Sequence, residues 1–187
     1  INSVDINGGT SMAKVNILSC PEHIRSGYPG KLNKTTEGCS VRRISDSADL
    51  TQFGVNQVIL EPGGITSLRH WHENEDEFVI VFSGEVTLVE DDGETILRPG
   101  DSAGFKAGVP NGHHIVNKSN EIAVLFEIGT RCANEVGHYT GLDFEYRKSD
   151  GEFCFVGEDG TILGQKYVLV QEVLILLEKT KSIDILQ

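Results

Sequence analysis

Between residues 52 and 129, turn signals interrupt the chain so often that no apolar run can become a long helix. QFGVNQVIL ends at Glu61, Pro62, Gly63 and Gly64; ITSLRHWH ends at the polar stretch ENED; EFVIVF ends at Ser83 and Gly84. EVTLVE meets Asp91, Asp92, Gly93 and Glu94, a strong hairpin signal. TILR stops at Pro99, Gly100 and Asp101, DSAGFKA runs into a Gly-Val-Pro-Asn-Gly loop, HHIVN meets Lys118, Ser119 and Asn120, and EIAVLFEIG closes the series. Short strands with turns at this frequency predict an all-β sandwich or barrel. No internal repeat is visible, so one barrel is expected.

The rest of the chain frames that block. Met12 is the single methionine, and the eleven residues before it are small, polar and aperiodic. Residues 1–11 are therefore expected to be a leader appended by expression cloning. Residues 12–49 read as an irregular N-terminal extension punctuated by Pro21, Gly27, Pro29 and Gly30. Residues 50–130 form the predicted barrel, and 131–187 a C-terminal extension. Within that extension, 130–165 look mixed and loop-rich. The apolar tail over 165–187 is interrupted by Gln171 and Glu172, too short and too broken to span a bilayer. It could be a docking helix or an exchanged strand.

Charge narrows the partners. A net charge of −12 repels phosphate backbones and anionic lipid, so neither nucleic acid nor a membrane surface is expected. Cys20, Cys39, Cys132 and Cys154 form no C-x-x-C pair. Free thiols in a reducing cytoplasm are the expectation.

The stretch GITSLRHWHENEDEFVIVFSGE, residues 64–85, carries the chemistry. Strand side chains alternate faces, so His70 and His72 share one face and Trp71 takes the other. Glu73 to Asp76 fit a four-residue hairpin loop, which would return Glu77 opposite His72 as a cross-strand neighbour. Val79 and Val81 continue Glu77's face into an apolar interior. A buried carboxylate beside two imidazoles is costly alone, and a divalent cation resolves the cost. A surface His-x-His beside an acid can arise by chance; the later histidines His113 and His114 make the pattern more than that.

Gly64, five residues, His70, one residue, His72, four residues, Glu77, six residues and Gly84 together resemble the first signature motif of the cupin superfamily. Gly104, Gly108, His113 and Asn117 resemble the second. Lys106 stands where that motif commonly has proline, and the loop before the histidine is longer, with Pro110 displaced. His114 thus competes with His113. His113, Ile115 and Asn117 share one strand face, as the motif requires, which selects His113 and turns His114 outward. LTQFGVN, RHWHENEDEFV, GFKAGVPNGHH and EIGTR further resemble small bacterial single-domain cupins without a settled activity.

The resemblance implies a jelly-roll barrel holding one divalent transition metal ion (Fe, Mn, Ni, Zn or Cu) on His70, His72, Glu77 and His113. Four protein ligands leave an octahedral ion two open positions. The expected function is metal-assisted catalysis of dioxygenase, isomerase or lyase type on a small polar metabolite. The alternative is a binding or sensing module that uses the metal to hold its ligand; a purely structural metal fits the open positions less well. Asn117 could orient a ligand or cap a strand end. One of Asn56 and Gln57 should face inward. Tyr28, Tyr139 and Tyr146 could rim a pocket or simply lie exposed. Phe78, Ile80 and Phe82 occupy the face opposite Glu77 and should form an outward apolar patch, for which a homodimer, or a terminal segment folded over it, is the expected cover.

Overall fold

The structure is a computed structural model that describes residues 14–25, 27–149 and 151–167. The expected leader and the tail beyond residue 167 lie outside the described residues. In chain order the strands are β1 (Glu22–Ile24), β2 (Cys39–Arg43), β3 (Phe53–Leu60), β4 (His70–His72), β5 (Glu77–Ser83), β6 (Val86–Glu90) and β7 (Gly93–Leu97). They continue as β8 (Ser102–Phe105), β9 (His114–Val116), β10 (Ala123–Thr130), β11 (Glu135–Tyr139), β12 (Phe144–Ser149), β13 (Glu152–Gly157) and β14 (Ile162–Tyr167). Only short 3-10 turns accompany them among the described residues, and no helix there is long and apolar enough to cross a membrane.

The chain is all-β, as the turn rhythm predicts. One sheet runs β1-β2-β3-β10-β5-β8, a second β14-β13-β12-β11-β4, and a third β7-β6-β9. Two isolated bridges, Ile65 to Val116 and His70 to His113, link the last two into one layer. That layer faces the six-stranded sheet in a jelly-roll arrangement. The Asp91–Asp92 hairpin forms as expected, with Glu90 paired to Gly93 across it.

Alternation explains the core. Val58 and Leu60 of β3, Val79 and Val81 of β5, and Leu125 of β10 point inward from one layer. Val86 and Leu88 of β6 and Ile115 of β9 meet them from the other. Each such side chain contributes about 1.5–3 kcal/mol by leaving water. Gly84 ends β5 at φ +80°, where a Cβ would sit 2.7 Å from the Cα of Ala123. A side chain there would push β5 off β10, so glycine is required at the end of the first motif.

Two expectations need correction. Residues 73–76 do not form a hairpin loop, and Glu77 is not paired with His72. β4 pairs with β11, with His72 opposite Gly137, whereas β5 pairs with β10 and β8. The connection crosses between layers because its backbone bonds elsewhere: the Glu73 amide donates to the Val136 carbonyl and the Asp76 amide to the Thr130 hydroxyl. The stretch from 130 to 165, expected to be loop-rich, instead supplies β11 to β14. Those strands carry a second core of Tyr139, Phe144, Tyr146 and Phe155, covered by Tyr28 and Leu32 of the N-terminal segment.

Candidate metal centre

Two elements on facing layers bring the polar cluster together. β4 presents His70 and His72 inward from one layer, and β5 presents Glu77 from the other. His113 precedes β9 and is tied to β4 by reciprocal backbone bonds, His70 amide to His113 carbonyl at 3.1 Å and His113 amide to His70 carbonyl at 2.9 Å. One carboxylate oxygen, Glu77 Oε2, lies 3.3 Å from His113 Nε2, 3.5 Å from His72 Nε2 and 4.0 Å from His70 Nε2. The ligand atoms of His70, Glu77 and His113 all lie within 4.8 Å of one another. His72 stands slightly apart from that trio while keeping its Nε2 on Glu77. His114 turns away, its Nδ1 3.0 Å from the Ser67 carbonyl.

Each imidazole is oriented by a different partner. His70 Nδ1 lies 2.9 Å from the Leu68 carbonyl, where only an N–H can bond, so Nε2 carries the lone pair. His72 Nδ1 meets the Tyr146 hydroxyl at 2.9 Å, with the Glu135 carboxylate at 3.7 Å. The His113 ring lies flat on Phe105, centroids 3.5 Å apart and 1° from parallel, and its Nδ1 is buried without a hydrogen-bond partner among the described residues.

The electrostatics ask for a cation. Burial, then neighbouring His72, pushes His70 down to about 3, which keeps it neutral. Burial disfavours charge on His72 too, but hydrogen bonds to Glu135 and Glu77 outweigh it and push it up to about 9. Burial also opposes ionisation of Glu77, yet His113 and His72 hold its carboxyl well below the usual carboxylate range. A buried carboxylate facing imidazole nitrogens is balanced either by a proton on an imidazole or by a metal ion. Three nitrogens and one oxygen suit a first-row divalent ion of intermediate hardness. The donor set therefore fits the group that the cupin resemblance implies.

A cavity of about 180 Å³ is lined by His72 and His113 together with Phe105, Trp71, Glu75, Glu90, Lys106 and Asn111. Among the described residues, Lys106 is the single lysine or arginine in its wall. Glu75 is engaged by Lys148 and by the Cys132 amide. Glu90 accepts from a neutral donor, Asn111 Nδ2 at 3.0 Å.

The weaker candidates resolve individually. Asn117 is fully buried, and its amide bonds the Leu60 and Glu121 carbonyls, so it secures a loop rather than facing the cluster. Asn56 shares the inward face of Val58 and Leu60, while Gln57 accepts from Arg42 on the other face. Tyr139 and Tyr146 are buried beneath the imidazoles rather than lying exposed on a rim, with half-buried Tyr28 packed against them.

Sequence reasoning missed four participants: Arg25, Glu127, Glu135 and Tyr146's bond to His72. Glu127 points inward from β10 and takes two hydrogen bonds from Arg25, at 2.9 and 2.5 Å; Arg25 also donates to the Thr66 carbonyl at 2.9 Å. A polar residue on the inner phase of an alternating strand was the available signal for Glu127 and Glu135. Nothing in the sequence could pair Arg25 with a residue so distant along the chain.

The profile of the cupin domain family matches residues 56–129. A sugar phosphate isomerase of the cupin superfamily from Silicibacter pomeroyi is 41% identical, with a TM-score of 0.77, over 81% of this chain and 100% of that one. The chain belongs to the cupin superfamily. A candidate sugar phosphate isomerase from Acidithiobacillus ferrooxidans is 27% identical, TM-score 0.64, over 70% of this chain and 83% of that one. The polyketide cyclase RemF from Streptomyces resistomycificus, at 17% identity and TM-score 0.53 over 64% of this chain and 79% of that one, shares the fold. No curated protein sequence matches the chain. In this cupin two members of the His/Glu cluster, His72 and His113, line a small cavity.

The Arg25–Glu127 pair yields a stability prediction. Glu127 is nearly buried while Arg25 keeps about a quarter of its side chain exposed. Arg25→Ala should therefore cost about 3 kcal/mol, the lower end for breaking a buried pair. Arg25→Met combined with Glu127→Leu should recover most of that loss. Urea denaturation measures both; an Arg25→Ala variant as stable as the parent would refute the pairing.

Proposed function

We propose that this cupin is a metal-dependent isomerase of a small phosphorylated sugar. One observation carries the reading: His72 and His113, two members of the His/Glu cluster, line a cavity whose wall also holds a lysine, Lys106. The 41%-identical relative from Silicibacter pomeroyi, a sugar phosphate isomerase, supports the substrate class. His70, His72, Glu77 and His113 would hold one divalent ion. Bound there, such an ion supplies a Lewis acid to a substrate carbonyl oxygen. Lys106 would anchor an anionic substituent. Glu90, a carboxylate of the wall with no ion pair among the described residues, would move the substrate proton. The cavity walls, Phe105 and Trp71 among them, would limit water. Four unpaired cysteines suit a cytoplasmic setting.

The direct test incubates metal-loaded protein with matched phosphorylated and free aldoses and ketoses, followed by NMR. Interconversion of a phosphorylated sugar is expected. Lys106→Ala should raise its KM about tenfold, matching loss of roughly 1.5 kcal/mol from a hydrogen bond to a charged group. Tight binding with no conversion of any sugar would favour a binding module instead.

Metal content tests the ligand set. His70→Ala combined with His72→Ala should abolish binding while the β-rich circular dichroism spectrum persists. His114→Ala should leave metal content unchanged. A full equivalent of metal in the double variant, or loss in His114→Ala, would overturn the assignment.

We also propose a homodimer. Phe78 and Phe82 are 41% and 65% exposed on the outer face of β5, and Phe82 meets Phe126 edge-on. Contiguous apolar surface of this kind is usually covered, and a symmetric pair is the commonest cover. Phe82→Glu should shift the light-scattering mass to that of a monomer; an unchanged mass would place the interface elsewhere.

A further inference from the structure

His72, Gly137 and Tyr146 form one row across three strands: Gly137 of β11 pairs with His72 of β4 on one side and with Tyr146 of β12 on the other. A tyrosine two strands away from a histidine does not ordinarily touch it, because the intervening side chain separates them. Here the intervening residue has no side chain. A Cβ on Gly137 would sit 1.9 Å from Cε1 of Tyr146 and 2.5 Å from its Cδ1. The Tyr146 ring lies directly across the glycine and delivers its hydroxyl to His72 Nδ1 at 2.9 Å. Phe153 stacks behind that ring, with centroids 5.1 Å apart, so the ring has little room to retreat.

Glu135 approaches the same nitrogen from the same strand as Gly137. Its carboxylate is fully buried and lies 3.7 Å from His72 Nδ1. It is held by the amides of Glu73 and Asn74, both at 2.9 Å, which are the two residues that follow His72. Glu135 therefore fixes the backbone just beyond β4 and places an anion beside the imidazole with one of the same oxygens. A buried carboxylate and a hydroxyl oxygen at Nδ1 favour the tautomer with its proton on Nδ1. That leaves Nε2, the nitrogen beside Glu77, to give its lone pair to a metal ion. Neither Tyr146 nor Glu135 borders the cavity, so neither is placed to touch a substrate there.

We infer that Tyr146 and Glu135 are positioning residues that set the tautomer and orientation of His72 for metal binding, and that Gly137 is the gap through which Tyr146 reaches it. The inference rests on the metal reading proposed above. Groups that hold a ligating imidazole by its other nitrogen typically change metal affinity by about 10–100-fold.

Cobalt(II) titration of the full chain, read by visible absorption and by chelator competition, tests this. The parent should bind one equivalent. Tyr146→Phe, which keeps the ring and removes only the hydroxyl, should weaken cobalt by about 10–100-fold, as should Glu135→Gln. Gly137→Ala should weaken cobalt similarly in the parent but add a clearly smaller loss in the Tyr146→Phe background, where the ring clash remains and no hydroxyl bond is left to displace. Thermal unfolding of each metal-free variant separates this from general loss of fold: the affinity loss should not track the change in Tm. Parent-like cobalt affinity in both Tyr146→Phe and Glu135→Gln would overturn the inference while leaving the metal reading intact. An equal loss from Gly137→Ala in both backgrounds would overturn the role given to the glycine. A parent that binds no cobalt would overturn the metal reading and this inference with it.

Discussion

One carboxylate oxygen inside an apolar barrel, with three imidazole nitrogens 3.3 to 4.0 Å from it, is the constraint around which this protein is arranged. Buried charge is tolerated only when paired and hydrogen-bonded. The structure provides for that on every side: backbone for His70, an aromatic ring for His113, a hydroxyl and a second carboxylate for His72. The positive charge that completes the arrangement can be a proton or a metal ion, and the nitrogen-rich donor set suits a transition metal. The strands of the jelly roll must stay in register for this to hold. The reciprocal His70–His113 backbone bonds are part of that register, so the fold and the cluster specify each other.

Much of this was legible in the sequence because it depends on local periodicity. Alternation placed His70 with His72, Glu77 with Val79 and Val81, and His113 with Ile115 without any knowledge of the fold. The same rule put Phe78, Ile80 and Phe82 on the opposite face, and Phe78 and Phe82 are indeed exposed. The Asp91–Asp92 turn followed from its composition. What local pattern could not supply was pairing. Residues 73–76 had the composition of a hairpin loop, yet their backbone groups bond to β11 and to Thr130, so His72 and Glu77 meet across the interior rather than along a ladder.

The parts that escaped the sequence share one physical property: they act over long separations. Arg25 meets Glu127, and Glu135 meets the amides after His72, through contacts that no spacing rule anticipates. Glu135 and Tyr146 were hidden further because residues 130–165 looked irregular. Their strands read poorly since Gly137 breaks the apolar phase of β11, and the same glycine lets Tyr146 reach His72. Local irregularity in the sequence thus coincided with a place where close approach matters, as is common where a fold serves a site.

The central claim is that His70, His72, Glu77 and His113 form a single metal site. Crystals grown with a first-row divalent ion, with anomalous diffraction recorded at that ion's absorption edge, test it most directly. The account predicts one peak about 2.0–2.2 Å from the three Nε2 atoms and a Glu77 oxygen, facing the cavity bounded by Lys106. A peak coordinated by His114 in place of His113, or no peak within reach of Glu77, would contradict it.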